Sequence, residues 1–218
     1  MAQALQALLF DLDGTLIDSM PLHHAAWAAW HARHGLPFDD AGFFSATAGR
    51  ANAEILRELL PHLGAAGIDA LADEKEALYR AAAAESLQMI EGFEPLCAQA
   101  RGLGFKLAIC TASTPANMAL AFARFGLDRL VDTVVSPADG VRGKPHPDIF
   151  ELAAERLGLP PAACLVFEDA PLGIEAARRA GMRAVALSTS LPAGAFAGFE
   201  NLIRTLPDLR GLDLRDLT

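Results

Sequence analysis

The 218-residue chain has no excess of basic residues: 18 Lys and Arg stand against 27 Asp and Glu, a formal net charge of -9. A nucleic-acid binder normally carries a basic stripe to meet phosphates, so no nucleic-acid partner is expected. Nor does any apolar run approach the roughly twenty residues that a membrane span needs. The opening MAQALQALLF lacks the basic start of a secretion signal and runs directly into Asp11. A cytoplasmic protein without a membrane partner is therefore expected. Cysteine is scarce as well. Cys97, Cys110 and Cys164 are far apart, each among apolar neighbours, and no C-x-x-C pair marks a zinc or redox centre. They read as buried free thiols. No fixed-period repeat is present, and the alanine run at residues 81–84 needs only helix propensity to explain it.

What is present centres on Leu8 to Ser19, LLFDLDGTLIDS. The apolar run Ala7, Leu8, Leu9, Phe10 has no polar alternation, which suits a strand covered on both faces in a parallel sheet. It stops at Asp11 and Asp13. Side chains two apart on extended chain share a face, and Gly14 lets the backbone turn at once, so the two carboxylates can converge. Like charges that close require a cation or a shared proton. A plain strand cap would explain one aspartate, but not the run D-x-D-G-T.

After this stretch the pattern changes. Pro21 to His34 reads as a helix with Pro in its first turn and Gly35 at its end, and Ala53–Leu63 and Leu71–Leu87 carry apolar residues at helical spacing, broken by Pro61, Gly64 and Gly67. This is a small helical insert. From Gly92 onward helices and strands alternate. Helices are expected at Pro95–Arg101, Pro115–Phe125, Asp148–Leu157 and Ile174–Ala180, the last closed by Gly181. Strands are expected at Lys106–Cys110, Thr133–Val135, Cys164–Phe167 and Ala184–Leu187. Such a series implies right-handed crossovers and a parallel sheet, with chemistry gathered beyond the carboxyl ends of the strands. Useful groups do stand there. Thr111, Ala112 and Ser113 follow LAIC and offer hydroxyl and backbone donors for phosphate oxygens, Lys144 lies in RGKPHPD, and Glu168 and Asp169 follow CLVF. Asp169 with Asp11 makes an oxygen-rich site of the kind Mg²⁺ uses.

DLDGT from Asp11, Thr111 after an apolar strand, KPHPD from Lys144 and FEDAPLGIEAA from Phe167 together resemble the four motifs of the haloacid dehalogenase superfamily, over nearly the whole chain. The insert resembles the cap of its β-phosphoglucomutase-like, sugar-phosphatase branch. The resemblance implies an α/β fold, with a Rossmann-like parallel-sheet core at residues 1–18 and 90–218 and an α-helical cap at 19–89, hinged near Asp18 and Ile90. It implies Asp11 as nucleophile forming an aspartyl-phosphate, and Asp13 as general acid and base whose backbone carbonyl helps hold the metal. Thr111 and Lys144 would bind the transferring phosphoryl group, and Asp169, with Glu168, would bind Mg²⁺.

Within the superfamily, dehalogenases need neither Asp13 nor Asp169, and phosphonate hydrolysis needs a cap lysine for a Schiff base, of which Lys75 is the only one in the insert. The mutase pattern expects a lysine just before Gly49 and an arginine three after it, where Ala48 and Asn52 stand. Phosphatase is thus the expectation, with a phosphosugar mutase as the alternative, because Arg50 can partly substitute and Lys75 with Tyr79 resembles the mutase spacing. A noncatalytic binding module is a further alternative, disfavoured by the complete acid set. Substrate recognition is assigned to His23, Gly49, Arg50 and Lys75 in the cap and to Ala112 and Ser113 in the core. Trp27, Trp30 and His34 recur with His23 at helical spacing, as a sugar-contacting face or as cap packing. His31 and His34 lack the carboxylate partners of a metal pair, and His146 belongs to the turn. The expected protein is a monomeric, Mg²⁺-dependent phosphatase of a small phosphorylated metabolite, in particular a sugar phosphate.

Overall fold

Six short strands, all rich in Val, Ile, Leu and Ala, form one sheet. They are β1 (Ala7–Phe10), β2 (Lys106–Cys110), β3 (Thr133–Val135), β4 (Cys164–Glu168), β5 (Arg183–Leu187) and β6 (Leu202–Leu206). The computed structural model describes residues 4–39, 42–47 and 50–217, apart from the side chains of Phe44 and Ser45. The strand order is β3-β2-β1-β4-β5-β6 and every neighbouring pair is parallel. Leu8 lies opposite both Leu107 and Leu165, so β1 is central and its four residues are fully buried. The chain runs outward from β1 to β3, then crosses to begin β4 on the other side of β1. That reversal opens a crevice beyond the carboxyl ends of β1 and β4.

The chain divides into two compact units, Met1–Asp18 with Gln88–Thr218, and Ser19–Leu87. The first holds the sheet and four helices. These are α5 (Phe93–Gly102), α6 (Pro115–Phe125), α7 (Asp148–Leu157) and α8 (Pro171–Arg179). One face of the sheet packs on α7 and α8 in a core that includes Leu9, Val166, Ile149, Phe150 and Ile174. Phe10 stacks on Phe167 at 4.8 Å and meets Phe93 edge-on at 5.3 Å, which anchors β1 to its neighbour and to α5. At the junction the Asp18 N–H donates to the Gln88 carbonyl at 2.9 Å and Met89 bridges to Ile17, so Gln88 and Met89 lie in this unit.

The second unit is helical: α1 (Met20–Arg33), α2 (Phe43–Thr47), α3 (Asn52–Leu59) and α4 (Ala65–Ser86). Its core is Trp27, Trp30, Ile55, Leu56 and Ile68. Among the described residues no helix is long and apolar enough to cross a membrane.

Three details differ from the sequence expectation. The helix α4 begins at Ala65 and carries Gly67 inside it, since a glycine costs only about 1 kcal/mol against the cooperativity of a 22-residue helix. The start of α8 is Pro171, at the first helical position where its missing N–H is not needed. The strand β6 was not anticipated; its LIRTL has Arg204 in the middle and half-exposed flanks, as suits a sheet edge.

Candidate active site

The sharp turn after β1 is made by Gly14, at φ +78°, whose N–H donates to the Ile17 carbonyl at 2.8 Å. A Cβ at this position would run into the Asp169 carboxylate and the Ser190 hydroxyl, so only glycine lets the turn pass that close. Asp11 lies at the start of the turn, its N–H donating to the Phe167 carbonyl at 3.0 Å. The parallel pairing of β1 with β4 therefore brings Asp11 beside Glu168 and Asp169. The three carboxylates are buried, and one oxygen of each lies within 4.8 Å of the others.

Lys144 reaches this cluster from the segment before α7, which follows a cis Lys144–Pro145 bond. Its Nζ donates to Asp11 Oδ1 at 2.6 Å, to Glu168 Oε1 at 2.5 Å and to the Cys110 carbonyl at 3.3 Å. An ammonium has three protons, so all three are engaged. The other oxygen of Glu168 accepts the Ala170 N–H at 2.9 Å, and Gly173 on α8 is where a Cβ would collide with the Glu168 side chain. Asp169 accepts from Thr15 Oγ1 at 3.2 Å on one oxygen and from Ser190 Oγ on the other. Thr189 Oγ1 donates to the Gly14 carbonyl at 2.5 Å.

Three carboxylates and one ammonium leave an excess of buried negative charge. Burial pushes the Asp11 carboxyl up to about 7; Lys144 pulls against that shift and Glu168 adds to it. Asp169 is raised well above the ordinary range, first by burial and then by Glu168 and Asp11. Lys144 is held charged, because Asp11 and Glu168 outweigh its own desolvation. A buried set of hard oxygen donors with surplus negative charge fits a divalent cation such as Mg²⁺. The residues that would hold it are Asp11, Asp169 and Glu168, with the Asp13 backbone next in the turn.

The remaining core residues lie at the ends of neighbouring strands. Thr111 follows β2, is fully buried, and its Oγ1 accepts the Ser113 N–H at 2.9 Å. Ala112 is exposed and Ser113 is buried. The helix α6 begins two residues later, capped by Thr114, so its free N–H groups and positive end are directed toward this loop. Asp13 is half-buried in the turn.

In the helical unit, Lys75 is buried and donates to His23 Nδ1 at 2.7 Å and Glu76 Oε1 at 2.9 Å. His23 stacks on Tyr79 with centroids 3.8 Å apart. Glu76 also accepts from Asn52. Arg50 forms a two-bond pair with Glu58, and Gly49 lies outside the described residues. Trp27 and Trp30 are buried in the helical core, so the packing reading of these rings applies rather than the sugar-facing one. His31 bonds the Pro37 carbonyl and His34 pairs with Glu74. The three cysteines are buried and free; burial lifts Cys97 to about 12 and Cys164 to about 11, which makes both poor nucleophiles.

Thr189 and Ser190 escaped the sequence reading, and Thr15 entered it only as the last residue of DLDGT, with no role of its own. The signal was present as STS directly after the apolar strand AVAL, but hydroxyls at a strand end are too common to single out without the pairing of β4 with β5.

Residues 5–181 match the haloacid dehalogenase-like hydrolase family. The chain is 34% identical over 202 residues to validoxylamine A 7'-phosphate phosphatase of Streptomyces hygroscopicus subsp. limoneus, covering 93% of this chain and 94% of the relative. It is 35% identical over 189 residues to fructose-1-phosphate phosphatase YqaB of Escherichia coli, covering 85% and 97%. Among solved structures, a HAD hydrolase of family IA, variant 3, from Entamoeba histolytica superposes with a TM-score of 0.90 at 25% identity, covering 98% of this chain and 97% of the other.

Proposed function

The chain belongs to the haloacid dehalogenase-like hydrolases, and on that footing we propose that it is a cytoplasmic, Mg²⁺-dependent phosphatase of a small phosphorylated metabolite, a sugar phosphate in particular. The observation that carries this reading is the Lys144 bridge between Asp11 and Glu168 at 2.6 and 2.5 Å, beside Asp169. Lys144 neutralises one carboxylate equivalent and fixes Asp11 through Oδ1. The surplus charge of the cluster then suits a divalent ion.

In this reading an Asp11 oxygen attacks phosphorus and the bond to the ester oxygen breaks. Asp13, protonated, gives its proton to the leaving oxygen. In the second half, Asp13 as carboxylate takes a proton from water, whose oxygen attacks phosphorus and releases Asp11 and inorganic phosphate. Thr111, the Ala112 and Ser113 backbone and the start of α6 orient the phosphoryl oxygens. Bound Mg²⁺ would supply charge that lets an anionic nucleophile approach an anionic phosphate. The helical unit acts as the cap, and His23, Gly49, Arg50 and Lys75 are assigned to the rest of the substrate.

Hydrolysis is favoured over mutase chemistry by the residues beside Gly49. A mutase must grip a second phosphate, and Ala48 and Asn52 stand where the mutase pattern expects a lysine and an arginine. The phosphatase relatives support the same direction, while a β-phosphoglucomutase of Bacillus subtilis, 29% identical over 213 residues, is consistent with the mutase alternative. A panel of sugar phosphates with Mg²⁺, read for free phosphate and for isomerised product with and without a bisphosphate activator, tests the proposal. Mg²⁺-dependent phosphate release abolished in Asp11→Asn is expected; isomerisation without phosphate release would overturn it.

A further inference from the structure

The carboxylate of Asp169 is gripped from two sides by hydroxyls that belong to different parts of the chain. Thr15, in the turn after β1, donates to Oδ1 at 3.2 Å, and Ser190, three residues beyond β5, donates to Oδ2. Glu168, its neighbour, is committed elsewhere, to Lys144 and the Ala170 N–H. The segment that carries Ser190 is itself braced. Ser188 N–H and Oγ both donate to the Leu206 carbonyl at the end of β6, and Thr189 Oγ1 donates to the Gly14 carbonyl. Gly14 completes the arrangement, since a side chain there would displace both the Asp169 carboxylate and the Ser190 hydroxyl.

We propose that Ser190 is a positioning residue for the cation site. Its hydroxyl fixes the rotation of the Asp169 carboxylate so that lone pairs not used by Thr15 and Ser190 face Asp11 and Glu168. A carboxylate left free to rotate presents those lone pairs to a cation only part of the time, and hard cations with strict coordination geometry are sensitive to that loss. The segment Ser188–Ser190 thereby ties the metal-binding end of β4 to the turn that carries Asp13. The inference rests on the divalent-cation reading of the Asp11, Glu168 and Asp169 cluster given above.

The test is calorimetric titration of the full chain with MgCl₂ in the absence of substrate, for wild type, Ser190→Ala and Ser190→Thr, with circular dichroism to verify folding. Loss of a partner that orients a metal ligand typically weakens metal binding about 10- to 100-fold, so Ser190→Ala should bind Mg²⁺ at least about tenfold more weakly. Ser190→Thr keeps the donor and should restore most of the affinity, which a merely structural loop hydroxyl has no reason to do. Equal affinity in wild type and Ser190→Ala would overturn the proposal, as would a threonine variant as weak as the alanine one. A folded wild type that binds no Mg²⁺ would overturn the cation reading itself, and the positioning role with it.

Discussion

The metal-free protein should lose stability as pH rises from about 5 to 7, and Mg²⁺ should restore it. Asp11 is raised from 3.8 to about 7 in the folded state, mainly by burial. An acid whose folded pKa lies above its unfolded value holds its proton more tightly when folded. Its favourable contribution is therefore greatest below about pH 4 and drains away as pH climbs to the folded pKa. The loss is at most about 1.4 kcal/mol per pH unit for one proton, or about 4 kcal/mol over the whole shift. Asp169 is raised by the same causes and adds loss of the same sign. Lys144 stays charged in both folded and unfolded chains throughout this window and adds no slope. Exposed acids that Arg partners hold low, such as Glu175 and Asp148, both at about 2, have the opposite sign. Their contribution is complete above about pH 5 and is lost only as pH falls below the ordinary carboxylate range. Urea unfolding in metal-free buffer should thus show a fall of about 2–3 kcal/mol between pH 5 and 7 in wild type. Asp11→Asn should make the fall shallower while leaving the part due to Asp169, so the difference between the two slopes isolates Asp11. Over the same interval the apparent Mg²⁺ affinity should rise about tenfold per pH unit as the ion displaces a proton. Stability that rises through the window in the absence of metal, or the same slope in Asp11→Asn, would refute the reasoning.

Three other perturbations probe individual contacts. Lys144→Met leaves Asp11 and Glu168 without their shared cation and should destabilise by about 3–5 kcal/mol near neutral pH, with partial recovery at pH 5 where a carboxyl can protonate; denaturant unfolding at both pH values reads this. Gly173→Ala drives a methyl into Glu168 and should cost about 1–3 kcal/mol while weakening Mg²⁺ binding, measured by unfolding and calorimetry together. Arg50→Ala breaks an exposed pair with Glu58 and should leave the unfolding midpoint essentially unchanged, so that any change it causes is read in KM.

The parallel sheet was legible because its inner strands are apolar on both faces and carry no polar alternation, as at Leu8–Phe10 and Leu165–Phe167. The edge strand β6 was not, because an edge needs only one covered side and Leu202–Leu206 looks like loop. Residues of chemical interest could be picked out as polar groups following apolar runs. Which of them meet depends on strand order, and β1 lies next to β4 although 150 residues separate them in the chain. That order, not any local pattern, brings Asp11 to Asp169. Ser190 stood in STS after the apolar AVAL, but a hydroxyl at a strand end is too common to single out; its place follows from β5 being paired with β4. On the helical unit, the spacing of Trp27, Trp30 and His34 indicated one face but not its exposure, and the two tryptophans are buried in that unit's own core.

The cluster also argues against a fold kept only to bind a phosphorylated ligand. A phosphate-binding pocket is built from donors, and the end of β2 with the start of α6 provides them. Asp11, Glu168 and Asp169 do the reverse: buried acceptors with surplus negative charge repel a phosphate dianion, and Lys144 is already spent on two of them. Burial, with Glu168 adding to it, raises the Asp11 carboxyl to about 7, so ionising it makes the metal-free unit less stable at neutral pH than at pH 5. A divalent cation reverses both effects, since it supplies the missing positive charge and turns the repulsion toward phosphate into attraction. The residues that weaken the metal-free fold are thus the ones that give the site its affinity for a cation, and a module that only held phosphate would be more stable and bind better without them.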